Sequence, residues 1–154
     1  MTEGAAERIA ELAAAAGSTI AVAESLTSGK IAAALGAAPD AGQWFRGGVV
    51  AYSPEVKRSV LDMPDVPVVS RPAAEALAAN VRKLLGASYS VAVTGVGGPE
   101  PSDGEAPGTV WFATASETAV TACRAEFDGE PEEVLEQTVR FALSCLLDRL
   151  TADR

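Results

Sequence analysis

Two periods of apolar and polar residues alternate along this chain. From Ala5 to Ala16, Ile9 and Leu12 stand at helical spacing among Glu7, Arg8 and Glu11, and Gly17 supplies a stop. Ser18 to Ala23 reads as a short buried strand. Thr27 to Leu35 returns to helix, closed by Gly36. A strand lies within Trp44 to Tyr52, entered through the pair Gly47-Gly48. Ser53-Pro54 opens a helix that runs to about Asp62, with Ser at the N-cap and Pro at the first helical position. Met63 to Pro67 is a proline-rich loop. Ser70-Arg71-Pro72 starts a helix from Pro72 to Leu85, ended by Gly86. Tyr89 to Val93 is a strand, and Thr94 to Pro107 a long loop of Gly, Pro, Asp and Ser. Gly108 to Ala115 and Ala119 to Phe127 pair as a hairpin across Ser116-Glu117-Thr118. Pro131 to Leu150 is a long amphipathic helix, its buried side drawn from Val134, Thr138, Phe141, Leu143, Cys145, Leu146 and Leu150. Strands alternating with helices, with a late hairpin, predict an α/β fold: a three-layer α/β/α sandwich with a mixed sheet. No internal repeat or linker interrupts it, so residues 1–154 read as a single domain.

Composition narrows the chemistry. Of 154 residues, 48% are hydrophobic and 21% charged, which suits a globular core. No apolar run approaches the roughly 18 residues of a membrane span. The start Met1-Thr2-Glu3-Gly4 lacks the basic and apolar regions of a signal peptide. Twelve Lys and Arg against 21 Asp and Glu give a net charge of −9, which argues against direct nucleic-acid binding. There is no histidine, so His-based triads and His-ligated metal sites are excluded. Cys123 and Cys145 stand alone and read as buried thiols of a reducing cytoplasm. Catalysis here would run on Ser, Thr, Lys, Tyr, Asp or Glu.

Three segments could carry it. Ala23-Glu24-Ser25-Leu26-Thr27-Ser28-Gly29 sits at a strand-to-helix junction. A hydroxyl there lies beside helix N-terminal N–H groups that can hold an oxyanion; the plainer alternative is that Ser25 or Thr27 caps the helix. In Tyr52-Ser53-Pro54-Glu55-Val56-Lys57, a lysine near a helix start meets the unfavourable end of the dipole. With some burial it becomes a neutral amine able to serve a serine nucleophile, and otherwise it is a solvated surface residue. Thr94-Gly95-Val96-Gly97-Gly98-Pro99 follows a strand, and its glycines let backbone approach a ligand or form an ordinary turn. It is neither a Walker loop nor a dinucleotide fingerprint. Thr27-Ser28-Gly29-Lys30 is similar to a Ser-x-x-Lys motif, but the Ser-Asp-Asn and Lys-Thr-Gly partners of that class are absent, so Lys30 reads as an exposed helix residue.

Together these segments resemble the CinA C-terminal domain family, whose active members are nicotinamide mononucleotide amidases of the PncC type. Ala23 to Gly29 resembles A-E-S-C-T-G-G. Trp44 to Lys57 resembles W/Y-F-x-G-G-V-V-A-Y-S-N-E-x-K. Ala92 to Pro99 resembles A-V-T-G-I-A-G-P, and Pro107 to Trp111 resembles P-V-G-T-V-W. The resemblance implies Ser25 as nucleophile, Lys57 as base and Tyr52 as a hydroxyl between or beside them. It implies substrate contacts from Glu24, Thr27, Ser28, Gly29, Thr94, Gly95, Gly97 and Gly98. The implied reaction converts nicotinamide mononucleotide to nicotinate mononucleotide plus ammonia, with no metal and no organic cofactor. The partners expected are a small amide or nucleotide and further copies of the chain as a homo-oligomer, with no membrane.

The sequence also departs from the pattern. Leu26 stands for Cys, Ser28 for Gly and Gly97 for Ala. The loop Glu100 to Ala106 lacks the family's Gly-Gly and Lys. Pro131 and Leu135 stand where two arginines are typical, among Glu130, Glu132, Glu133 and Glu136. Arginine is the natural fork for phosphate. Two alternatives therefore accompany the family activity: an amidase for a different, non-phosphorylated amide, or a non-catalytic binding protein.

Overall fold

The computed structural model describes residues 2–99, 101 and 104–153. In chain order its elements are α1 (Thr2–Ala16), β1 (Ile20–Glu24), α2 (Lys30–Gly36), α3 (Ala41–Trp44), β2 (Phe45–Val50), α4 (Pro54–Leu61), α5 (Arg71–Leu85), β3 (Tyr89–Gly95), β4 (Thr109–Ala115), β5 (Val120–Glu126) and α6 (Pro131–Ala152). The strands form one mixed sheet in the order β2-β1-β3-β4-β5. The first three run parallel, and β4 and β5 are antiparallel additions. Helices α1, α2, α3 and α6 cover one face, and α4 and α5 the other. The expected α/β/α sandwich is the observed one.

The two faces differ in side-chain size, and the period-2 pattern explains why. Ile20, Val22, Val91, Val93, Val110 and Phe112 point to the α1/α6 side, where Phe112, Phe127 and Phe141 stack edge and tilt. Ala21, Ala23, Ala92, Ala113 and Ala115 point to the α5 side and meet Ala73, Ala74 and Ala78 of that helix. Small against small lets α5 lie close on the sheet. Ser90 Oγ, buried in the α5-facing layer, thus reaches the Ala78 carbonyl at 2.6 Å. The hairpin is tied down by α6: Arg149 donates to Ser116 Oγ, the Ala119 carbonyl and Thr121 Oγ1 at 3.1, 2.7 and 3.1 Å.

Three expectations are corrected. Helix α2 begins at Lys30 and not at Thr27, because Ser28 (φ 51°) and Gly29 (φ 101°) are left-handed and hold the chain in turns first. Trp44 ends a short helix and does not open β2, and its indole donates to the Pro39 carbonyl at 2.9 Å. The cysteines are not both buried. Cys123 is exposed on the edge strand β5, and Cys145 is half-buried on α6 beside it. Burial pushes the Cys145 thiol up to about 12, with Cys123 adding to the rise. A cavity of about 360 Å³ lies beside these thiols, but a protonated Cys145 is a poor nucleophile for it. Among the described residues no helix is long and apolar enough to cross a membrane.

Candidate active site

Strand β1 connects toward β2 on one side, and the chain then returns to β3 on its other side. The connections thus diverge between the carboxyl ends of β1 and β3, which is where open α/β sheets leave a crevice. Ser25 follows β1 directly, and the Gly95-Val96-Gly97-Gly98 loop leaves β3. A cleft of about 320 Å³ opens between them. Gly95 is required at its floor, since a Cβ there would stand 2.6 Å from the Thr109 carbonyl oxygen.

Lys57 comes to Ser25 from the neighbouring strand's connection. Ser53 caps α4, its Oγ accepting from Val56 N–H at 3.2 Å, and Pro54 takes the first turn. This places Lys57 in the first turn with its side chain directed back under the end of β2. Its Nζ lies 3.1 Å from Ser25 Oγ, 2.7 Å from the Ala51 carbonyl and 3.3 Å from the Tyr52 carbonyl. Lys57 is 1% exposed and Ser25 is 6% exposed. A lysine at so low an exposure is rare, because the ammonium form loses its hydration. As a neutral amine, Lys57 would keep two N–H donors for the two carbonyls and turn its lone pair to the Ser25 hydroxyl. That is the arrangement a nucleophile and its base require.

Glu24 does something that its place beside Ser25 did not announce. Its carboxylate is buried and accepts from Thr27 Oγ1 at 2.6 Å, Ile31 N–H at 2.9 Å and Ala32 N–H at 2.8 Å. It closes the N-terminus of α2, so those donors serve Glu24 and not a ligand. The Glu24 and Thr27 side chains therefore hold the Ser25 turn in shape. We expect Glu24→Gln to destabilise the fold by about 2–4 kcal/mol, since charge-assisted bonds are lost and an amide N–H faces backbone donors. Chemical denaturation of both proteins measures this, and a midpoint unchanged by the substitution would contradict the bracing role.

The other expected residues divide. Thr94 is buried and donates to the Val68 carbonyl at 2.8 Å, anchoring the loop before α5. Ser28 contributes turn geometry, its N–H donating to the Ser25 carbonyl at 3.1 Å. Gly29 stands directly before α2 and lies near Val50. Gly95, Gly97 and Gly98 line the cleft, as does Tyr52, whose side chain is 68% exposed. Tyr52 reaches Lys57 through its backbone carbonyl.

The remaining wall was not foreseen as a unit. Leu26, Val96, Pro131 and Leu135 complete the cleft, so the first turn of α6 faces Ser25. Four of the sequence departures meet here. A Cβ built on Gly97 would stand 3.8 Å from Leu26 Cβ and Cδ1, so the small residue sits against the large one. That Leu26, Gly97, Pro131 and Leu135 are departures was visible in the sequence, but not that they share one cleft.

The CinA C-terminal domain model matches residues 2–150. The chain belongs to the CinA C-terminal domain family. A Desulforamulus reducens protein whose name describes it as competence-damage inducible is 44% identical over 133 residues, which cover 83% of this chain and 32% of that one. The chain spans about a third of the length of the curated relatives of this longer kind. A Pseudomonas putida relative named nicotinamide-nucleotide amidohydrolase PncC is 39% identical over 134 residues, covering 83% of this chain and 84% of the relative. Among solved structures, a CinA superfamily protein from Klebsiella pneumoniae 700603 superposes with a TM-score of 0.94 at 35% identity, covering 99% of both chains. A competence/damage inducible protein from Agrobacterium tumefaciens gives 0.91 at 30% identity, covering 97% and 95%.

Proposed function

We propose that this protein is a serine amidohydrolase that releases ammonia from a small carboxamide of the nicotinamide type. The observation that carries the proposal is the buried 3.1 Å approach of Lys57 Nζ to Ser25 Oγ at the mouth of the cleft. The name of the Pseudomonas putida relative supports the substrate type.

In the proposed reaction the Ser25 oxygen attacks the amide carbon while Lys57 takes the hydroxyl proton. The oxyanion that forms needs nearby donors. No hydrogen bond to another described residue engages the N–H of Leu26 or Gly97, and both residues line the cleft. We assign the oxyanion to these backbone groups, because Glu24 already occupies the N–H groups of Ile31 and Ala32. Lys57 then returns its proton to the leaving nitrogen, ammonia departs, and an ester remains on Ser25. Water, deprotonated by the same amine, hydrolyses the ester to the carboxylate. Tyr52 borders the space the substrate ring would occupy and offers it an aromatic face. Every proton in this cycle is carried by Lys57, so the chemistry calls for no metal or organic cofactor.

The test is ammonia release from nicotinamide mononucleotide and nicotinamide riboside by the full chain. Ammonia formed in step with the corresponding acid from at least one of them is the expected result. Folded protein that releases none from either would leave the binding-protein alternative as the better reading.

A further inference from the structure

Taking the cleft as the amide site proposed above, we propose that its substrate carries no phosphate. A phosphate on a protein is held by guanidinium or ammonium groups, by helix N-termini, or by backbone N–H groups. The first two are closed to it here.

Among the described residues, the cleft wall contains no basic side chain. Lys57 lies behind Ser25 and is committed to that hydroxyl and two carbonyls. None of the described arginines lines the cleft. Arg46, at the start of β2 and so at the opposite end of the sheet, donates to the Leu85 carbonyl. Arg71 lies over the Trp111 ring, and Arg124 pairs with Glu126. Arg140 lines a separate cavity with Phe127 and Ser144.

The helix N-termini near the cleft are filled by this protein's own side chains. At the start of α4, Ser53 Oγ takes the Val56 N–H and Pro54 has no N–H to offer. Glu24 takes the N–H groups of Ile31 and Ala32 at the start of α2. At the start of α6, Glu133 accepts from the Glu130 N–H at 2.9 Å, and Pro131 has no N–H to offer. Gly129, at φ 119°, makes room for this: a Cβ there would lie 2.8 Å from Glu133 Oε1. Glu132 and Glu136 add charge to the same end of the helix. A phosphate over Pro131 and Leu135 would meet an apolar surface within a negative field. A neutral or cationic ring-bearing amide meets apolar contact and no repulsion. In the glycine loop, the Val96 N–H donates to the Thr109 carbonyl, and the reaction itself requires the Gly97 N–H at the oxyanion.

The experiment titrates the full chain, as it assembles in solution, with nicotinamide mononucleotide and with nicotinamide riboside, and reads Kd for each by calorimetry. The riboside is expected to bind as tightly as the mononucleotide or more tightly. Mononucleotide binding more than about threefold tighter, or no binding of either compound, overturns the inference. Leu135→Arg, at a half-buried position that tolerates a longer side chain, is expected to shift the ratio of the two constants by about tenfold or more toward the mononucleotide. A ratio that does not move shows that this wall does not select against phosphate. Binding is read apart from turnover. If the riboside binds without a phosphate preference and no ammonia appears, the amidase reading fails while the inference about phosphate stands.

Discussion

Ser25→Ala is expected to lower amide hydrolysis by about four to six orders of magnitude while the protein stays folded. Removing a nucleophile takes away the covalent route entirely, and the remaining rate comes from binding and oxyanion contacts alone. The structural cost is small. The Ser25 side chain is a single hydroxyl against Lys57, and Lys57 Nζ keeps the Ala51 and Tyr52 carbonyls when it is gone. Initial rates of ammonia release with a thermal melt on the same preparations check both halves. A Ser25→Ala protein within tenfold of the unaltered rate would remove Ser25 from the mechanism. Ser28→Ala serves as a contrast, because among the described residues the Ser28 hydroxyl makes only a 3.5 Å contact to the Leu26 carbonyl. It should keep most of the activity.

Lys57→Met is expected to cost about three orders of magnitude or more in rate, and to remove the rising limb of the pH profile. The sign follows from the role. Only the uncharged amine can accept the Ser25 proton, so activity rises as pH rises through the lysine's titration. Burial favours that form. Methionine fills most of the volume but leaves the Ala51 and Tyr52 carbonyls without this donor, so some stability is lost as well, about 1–3 kcal/mol. Lys57→Arg should not restore activity. The guanidinium stays protonated, and a planar fork does not fit a side-chain site that is 1% exposed. Full activity in the Arg variant would mean that the residue orients substrate and takes no proton.

How much of this was legible in the sequence differs from residue to residue. The layers of the fold were, because strand and helix segments alternate along the chain and because Ser53-Pro54, Gly17, Gly36 and Gly86 mark helix ends. The start of α2 was not. A serine in the left-handed region is uncommon, and only the three-dimensional placement of Glu24 shows what holds the turn. The same carboxylate explains why Glu24 reads in sequence as a substrate contact. It stands next to Ser25 along the chain, yet its bonds run to the helix seven and eight residues on. The pairing of Ser25 with Lys57 rests on contact across 32 positions, which no local pattern encodes and which the family resemblance alone suggested. The cleft wall is similar. Leu26 and Leu135 are more than a hundred residues apart, and only the packing of α6 brings them to one surface. Cys123 was misread because free cysteines are usually buried, whereas β5 is a sheet edge and largely exposed.

The most direct test of the Ser25–Lys57 account is the mass of the protein itself during turnover. The full chain is mixed with nicotinamide riboside, quenched in acid within milliseconds to seconds, and digested for peptide mapping. The account predicts an acyl group of the substrate's mass, less ammonia, on the peptide holding Ser25. The adduct should be absent from Ser25→Ala and strongly depleted in Lys57→Met. Ammonia released at the full rate with no adduct on that peptide at any time, or an adduct on a different residue, would contradict it.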